Sequence, residues 1–147
     1  MGTYRISKYN PQYRDGANYT KEEWTDYSDI GRTIAGQAVT RKEYEEVEGR
    51  YISCLTELIS LITKQEMQIV RYEIYDNYIN WMDGQYVRDR DIALIIRDCL
   101  RNKCWCELKG EGIGIDFGYD YYVHIDTYLQ YDEVKPVCGV LHNLKSG

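Results

Sequence analysis

Three side chains in the second half of the chain have the types and spacing of a metal site. Cys104 and Cys106 alternate on a predicted strand, so both thiols share one face, and His124 follows on a neighbouring strand. Two thiolates and an imidazole are ligands that zinc accepts. The pattern gives no fourth ligand, and Cys-x-Cys lacks the loop spacing usual in zinc sites. We therefore predict buried structural thiols, and neither a metal nor another cofactor.

His124 is also a candidate for acid–base chemistry. It shares a strand face with Asp126, and Asp120 lies just before it in the chain, so either carboxylate is placed to orient the imidazole. The chain has 2 histidines, and no serine or cysteine stands in a recognisable nucleophile turn. We predict that the protein is not an enzyme. A small hydrolase or nuclease that uses His124 and nearby carboxylates is the alternative.

His124 and Asp120 lie in a stretch over residues 113–125, and Asp126 directly follows it. Every odd position of this stretch, Tyr119 included, is apolar or aromatic. Side chains of a strand alternate between two faces, so this pattern predicts a sheet with one buried and one solvated face. Gly118 and Asp120 either divide the stretch into two strands joined by a tight turn or mark a bulge. The solvated face carries carboxylates among tyrosines: Asp116, Asp120, Tyr122 and Asp126.

Two predicted helices and further strands position this stretch. Thr40 begins a capping box with Glu43, and apolar residues at three- and four-residue steps predict a helix from there to about Lys64. A second helix is predicted over 89–101. We predict strands over 4–9, 67–75 and 104–109 and an edge strand over 137–141, with 128–135 either a short helix or a loop. The sequence thus predicts one α+β domain, 1–147, in which an antiparallel sheet of about five strands carries both helices on one face.

Composition narrows the class of partner. The chain has 18 basic and 24 acidic residues, a formal charge of −6. An acidic chain is not attracted to phosphate backbones, so we predict no direct binding of nucleic acid and favour a basic protein as partner. No apolar stretch is long enough to cross a bilayer, and no secretion signal is present. With an odd number of cysteines in no framework spacing, we expect a cytoplasmic protein whose thiols are mostly free.

A second acidic segment lies in the long loop before the first helix. Its carboxylates flank Trp24, which we also expect to anchor the loop: Asp15, Glu22, Glu23, Asp26 and Asp29. Aromatic rings among charges are typical of protein-binding surfaces. The candidate partner-binding residues from both regions are therefore Asp116, Asp120, Tyr122, Asp126, Trp24, Asp26 and Asp29. An ordinary solvated surface is the alternative for both.

The opening of the chain carries a longer signature, Tyr4-Arg5-Ile6-x-Lys8-Tyr9-Asn10-Pro11-x-Tyr13-Arg14-Asp15, followed by Glu23-Trp24-Thr25-x-x-Ser28-Asp29-Ile30-Gly31. The later Trp105-Cys106 and Phe117-Gly118-Tyr119-Asp120-Tyr121-Tyr122 belong to the same pattern. Together these segments resemble small bacterial single-domain proteins, which we place among the immunity proteins of polymorphic or contact-dependent toxin systems.

The resemblance implies a cytoplasmic inhibitor. Its partner would be the C-terminal domain of a cognate toxin, often a basic nuclease, whose active site or substrate approach it would block. No binding residue is carried over, since immunity proteins differ in how they engage their toxins. An inhibitor of a host defence protein, encoded by a phage or mobile element, would have the same physical properties and remains the second alternative.

Overall fold

The computed structural model describes residues 2–15, 18–19, 21–62, 66–75, 80–138 and 143–146. Within them the α-helices are α1 (Arg41–Ile62), α2 (Arg90–Leu100) and α3 (Tyr131–Cys138). The strands are β1 (Gly2–Ser7), β2 (Arg14–Asp15), β3 (Asn18–Tyr19), β4 (Thr33–Ile34), β5 (Gln37–Ala38), β6 (Glu66–Ile74), β7 (Tyr86–Arg88), β8 (Cys104–Gly110), β9 (Ile113–Phe117), β10 (Val123–Thr127) and β11 (Asn143–Ser146).

Seven of the described strands form one sheet in the order β11-β1-β10-β9-β8-β6-β7, and every neighbouring pair is antiparallel. The predicted α+β class is confirmed, with seven strands where we predicted about five. Two small hairpins, β2–β3 and β4–β5, lie in the long segment before α1. The additional sheet strands are short edges, which carry too few residues to show a clear alternation.

The first helix begins where its cap predicted. Thr40 Oγ1 accepts a hydrogen bond from the backbone N–H of Glu43 at 3.1 Å, which satisfies one of the unpaired donors of the first turn. Five residues of the predicted apolar stripe of α1 are buried, Val47 and Ile62 are half-buried, and Cys54 is buried in addition. The five are Tyr44, Tyr51, Leu55, Leu58 and Ile59. The second helix is also confirmed, and it ends just before Asn102, whose φ of 58° is the left-handed conformation that stops a helix.

One face of the sheet joins the helices in a single core. Its buried side chains come from six strands: Tyr4, Ile6, Met67, Ile69, Val87, Cys104, Cys106, Leu108, Ile113, Ile115, Phe117, Val123 and Ile125. We call the outward-pointing positions of β1, β6, β8, β9 and β10 the open face. They are Thr3, Arg5, Gln68, Val70, Trp105, Glu107, Lys109, Gly114, Asp116, His124 and Asp126.

The stretch over 113–125 is two strands joined by a turn, which resolves the two possibilities left by the sequence. Gly118 N–H donates to the Tyr122 carbonyl at 2.8 Å, and Asp120 and Tyr121 have φ values of 56° and 66°. Such left-handed backbone is strained for residues with a side chain. The turn also breaks the alternation, so Tyr119, which the pattern placed on the buried face, is 93% exposed.

The C-terminal prediction was wrong in its first part. Val137 and Cys138 belong to α3 and not to a strand, while residues 139–141 lie outside the described residues. Val134 and Cys138 stand four residues apart and are both buried, which is the spacing of one helix face. The edge strand is β11, which pairs with β1.

The prediction of mostly free thiols was wrong for two cysteines. Cys54 on α1 and Cys138 on α3 form a disulfide across 84 residues of sequence. The other three, Cys99, Cys104 and Cys106, are free and buried. This disulfide forms because α3 packs on α1, and the spacing of the cysteines in the sequence does not predict it.

Candidate partner-binding face

A row of side chains crosses the open face. Arg5, His124, Asp116 and Glu107 are paired in register from β1 through β10 and β9 to β8. Side chains paired in this way have Cβ atoms about 4.5–5.5 Å apart. The structure therefore places His124 beside Asp116, whereas Asp120, which we predicted as one possible partner of His124, lies in the turn beyond the strand ends.

A second row runs parallel to the first. Asp126 stands between Thr3 and Gly114, and its Oδ1 accepts a hydrogen bond from Thr3 Oγ1 at 2.8 Å. At Gly114 a Cβ would lie 3.3 Å from the amine of Lys109, so the absence of a side chain there lets Lys109 lie across β9. Asp126 is exposed, as predicted, but one of its oxygens already has a donor.

Asp116 differs from the carboxylates around it. Glu107 forms ion pairs with Arg71 at 3.5 Å and with Lys109 at 3.9 Å. Asp116 forms no ion pair or hydrogen bond with another side chain among the described residues. Partial burial, and then the neighbouring Glu107 carboxylate, raise the pKa of Asp116 above its usual value, while His124 and Lys109 lower it by less. A further cation bound beside Asp116 would stabilise its negative charge.

A groove of about 540 Å³ lies beside Asp116, and we call it the Trp105 groove. Its lining residues are Glu73, Tyr75, Asn102, Trp105, Asp116, Phe117, Gly118, Tyr119 and His124. Trp105 Nε1–H donates to the Phe117 carbonyl at 2.7 Å, which fixes the indole across the ends of β8 and β9. Tyr75 is 39% exposed and Tyr119 is 93% exposed. Ring surface is thus presented next to an unpaired carboxylate.

Tyr122 connects this groove to the first strand. Its ring centroid lies 5.3 Å from that of Tyr9, and the Arg5 guanidinium carbon is 4.9 Å from the Tyr122 ring. The ring is half-buried. Part of its surface therefore serves packing, and the rest remains on the side where we predicted it.

The acidic segment before α1 is used to hold its own loop. Asp29 is buried, and its Oδ2 accepts a hydrogen bond from Thr25 N–H at 2.9 Å. Asp26 Oδ1 accepts from Ser28 N–H at 3.3 Å and from Asn102 Nδ2 at 3.0 Å. These bonds are those of a capped turn. These hydrogen bonds give Asp26 and Asp29 a structural role that does not require a partner protein.

Trp24 is only 8% exposed, so its prediction as a partner-binding residue is corrected. Its ring centroid lies 5.0 Å from that of Tyr44 and 5.1 Å from that of Tyr121. The Lys8 amine, which is paired with Glu23, lies 4.1 Å from the Trp24 ring centroid. Burial lowers the pKa of Lys8. The expected anchoring role of Trp24 is confirmed, and its surroundings leave little ring surface for another protein.

The zinc arrangement is not formed. Cys104 and Cys106 point into the core, while His124 stands on the open face, so the sheet separates the thiols from the imidazole. Cys99 is the actual neighbour, with its Sγ 3.6 Å from that of Cys106. The pKa of Cys99 is raised, first by its contacts with Cys104 and Cys106 and then by burial. Among the described residues no three ligating side chains are grouped to hold a metal ion.

Part of the Trp105 groove and its surroundings was not predicted from the sequence. Strand alternation over 104–109 places Trp105 and Glu107 on the face away from Cys104 and Cys106, but we did not predict that this face also carries Asp116. A signal was present, because a hairpin turning at 110–112 puts Glu107 opposite Asp116. Glu73 and Tyr75 gave no such signal, since the register between β6 and β8 shifts at a bulge between Val70 and Glu73.

Comparisons of the chain with models of known families, with curated proteins and with solved structures each find no match. None of the described helices is long and apolar enough to span a membrane.

Proposed function

We propose that the protein is an immunity protein, which binds and neutralises a cognate toxin domain of basic charge through its open face. The observation that carries the proposal is the unpaired Asp116 carboxylate beside exposed rings, on the side of the sheet that no described helix covers. Carboxylates and tyrosines on an acidic chain complement a lysine- and arginine-rich partner. The partner we propose is the C-terminal domain of a toxin, and the inhibition is by binding, without chemistry of its own.

The location of the available charges supports the open face over the loop before α1. Asp26 and Asp29 already accept hydrogen bonds from Ser28, Asn102 and Thr25. The side chains of Asp116 on the open face and of Asp120 in the adjoining turn are exposed and form no hydrogen bond or ion pair among the described residues. A basic protein approaching the acidic chain would gain most where carboxylates are not already neutralised. Asp126 lies on the same face and extends the surface toward β1.

Reversing the charge of Asp116 and Asp120 together to lysine should weaken the complex by at least about 100-fold, because each change removes an attraction and adds a repulsion. The partner is to be captured from the native host with the tagged wild-type chain. It should be basic, toxic to a cell that lacks this protein, and harmless when the two are co-expressed. Affinity should also fall as salt is raised.

The matched control is the pair Glu46→Lys and Glu57→Lys, which makes the same change in net charge on the exposed side of α1. This control should bind within a few fold of the wild type. Equal weakening by both pairs, or no weakening by either, would contradict docking at the open face. A captured host defence protein in place of a toxin would support the mobile-element inhibitor instead.

A hydrolytic function has one observation in its favour. His124 and Asp116 stand opposite each other on neighbouring strands, and both line the Trp105 groove. A carboxylate beside an imidazole can orient it as a general base. If the protein acts by binding, His124→Ala should still form the complex and should change neutralisation only as far as it changes affinity, because His124 lines the Trp105 groove. Loss of neutralisation by this variant, with the complex still formed, would instead make the protein an enzyme.

A further inference from the structure

We propose that the Trp105 groove is the receptor for one arginine side chain of the partner protein. This inference rests on the proposed function, and it names the chemical group that the open face recognises. Three features of the chain support this occupant: the charge of the groove, the way the chain binds its own cations, and the lack of an ion pair at Asp116 among the described residues.

The charge of the groove is distinct from that of the rest of the open face. Among the described residues its lining contains Glu73, Asp116 and the imidazole of His124, but no lysine or arginine. A second groove at the other end of the face, of about 570 Å³, is lined by both signs of charge: Glu66, Gln68, Tyr86, Arg88, Lys109, Gly110 and Glu111. There Arg88 already forms an ion pair with Glu66 at 2.7 Å. The carboxylates of the Trp105 groove therefore favour a bound cation, whereas Arg88 and Lys109 oppose one in the second groove.

The chain already builds sites of this composition for its own cations. Lys8 lies over the Trp24 ring, with its amine 4.1 Å from the ring centroid, and is paired with Glu23. Arg101 lies 4.9 Å from the Tyr27 ring centroid and is paired with Glu48. In both places a ring and a carboxylate hold one cation. Such contacts add cation–π attraction to the ion pair.

The Trp105 groove contains the same two components, and none of its described lining residues is a lysine or arginine. Trp105 supplies the ring and is held by its hydrogen bond to the Phe117 carbonyl, so little side-chain freedom is lost when a ligand binds. Asp116 supplies the carboxylate, and no cation of the chain is paired with it among the described residues. Tyr119 and Tyr75 add exposed ring surface at the rim.

An arginine fits this site better than a lysine. A guanidinium group is planar, stacks on aromatic rings and donates two parallel hydrogen bonds to one carboxylate, whereas an ammonium group acts as a compact, strongly hydrated charge. The groove offers rings and a carboxylate side by side, which is the combination that a guanidinium group uses at once. We therefore commit to arginine as the occupant.

The test uses three blocked tripeptides, Gly-Arg-Gly and the same peptide with lysine or citrulline in the centre. Citrulline has nearly the shape of arginine but no charge. Each peptide is titrated into the full-length, ¹⁵N-labelled chain, and the Trp105 indole N–H and the amides of Gly118 and Tyr119 are followed by NMR. Trp105→Phe assigns the indole signal.

The arginine peptide should give a saturable shift of these signals, with a dissociation constant on the order of 1 mM. The citrulline peptide should bind at least about tenfold more weakly, and the lysine peptide should lie between the two. Asp116→Asn should weaken binding of the arginine peptide by about tenfold, as expected for one charge-assisted pair. Glu111→Gln, which changes the same charge in the second groove, should have no effect.

Three results would overturn the inference: equal shifts from citrulline, equal affinity for lysine, or shifts that are centred elsewhere or unaffected by Asp116→Asn. The two proposals can fail separately. If charge reversal at Asp116 and Asp120 disrupts the complex but the arginine peptide does not bind in the groove, only the arginine assignment is lost. If the peptide binds as described but no basic toxin partner is found, the immunity function is lost and the cation receptor stands.

Discussion

Replacing Glu48 by alanine is expected to destabilise the protein by about 3 kcal/mol, because it leaves a largely buried guanidinium group without its partner. Glu48 accepts two hydrogen bonds of 2.8 Å from Arg101, from Nε and Nη2. The two side chains are 6% and 16% exposed. The pair joins α1 to the end of α2, so its loss also loosens the contact between the two helices.

Urea unfolding measures this effect, and a loss of that size moves the midpoint by about 1.5 M or more toward lower urea. Glu46→Ala is the control, since Glu46 lies two residues away on the exposed side of the same helix and should change stability by less than about 0.5 kcal/mol. Similar midpoints for the two variants would show that the Glu48–Arg101 pair contributes little net stability.

Replacing Tyr121 by alanine should cost about 3–5 kcal/mol, as for other large aromatic side chains in a core. Its ring centroid lies 4.9 Å from that of Tyr51, 5.1 Å from that of Trp24 and 5.7 Å from that of Tyr44. The hydroxyl donates to Tyr44 Oη at 2.5 Å. These contacts hold a residue whose φ of 66° is unfavourable for any side chain, so alanine keeps the strain and loses the packing.

Tyr121→Phe separates packing from hydrogen bonding, because it keeps the ring and removes only the hydroxyl group. It should cost about 1 kcal/mol. Thermal or urea unfolding of the two variants gives the comparison. If the phenylalanine variant were as unstable as the alanine variant, the hydrogen bond between the two hydroxyl groups, and not the ring contacts, would stabilise the turn.

Tyr121 also bears on the proposed partner-binding face, because it lies two residues from Tyr119 in the same turn. The side chain of Tyr121 points into the core while that of Tyr119 is exposed. The buried ring therefore sets the position of the exposed one. If the Tyr121→Ala variant still folds, we expect its Trp105 groove to be less well formed than that of the wild type.

The sequence was most informative where the pattern was local. The period of α1 and its cap at Thr40 are decided within one helix, and the hairpin of β8 and β9 is decided by alternation around residues 110–112. These features depend on side-chain direction and on donors within a few residues. They do not need knowledge of the rest of the chain.

Features that depend on distant residues could not be predicted. Trp24 has acidic neighbours in sequence, and its burial comes from residues distant in sequence: the rings of Tyr44 and Tyr121, and Lys8 just after β1. The pairing of His124 with Asp116 required the register of β9 and β10, which was open as long as the turn at Gly118 was uncertain. Strand order and register are set by tertiary packing, and periodicity does not contain them.

The place of β1 in the sheet has a consequence for how the chain is made. This strand leaves the ribosome long before its two neighbours, β10 and β11, which lie more than 100 residues downstream. These three strands can therefore pair only after the segments of β10 and β11 have been synthesised. Contacts of such long range slow folding and leave apolar strands exposed in the meantime, so the nascent chain is a natural client for chaperones that shield unpaired strands.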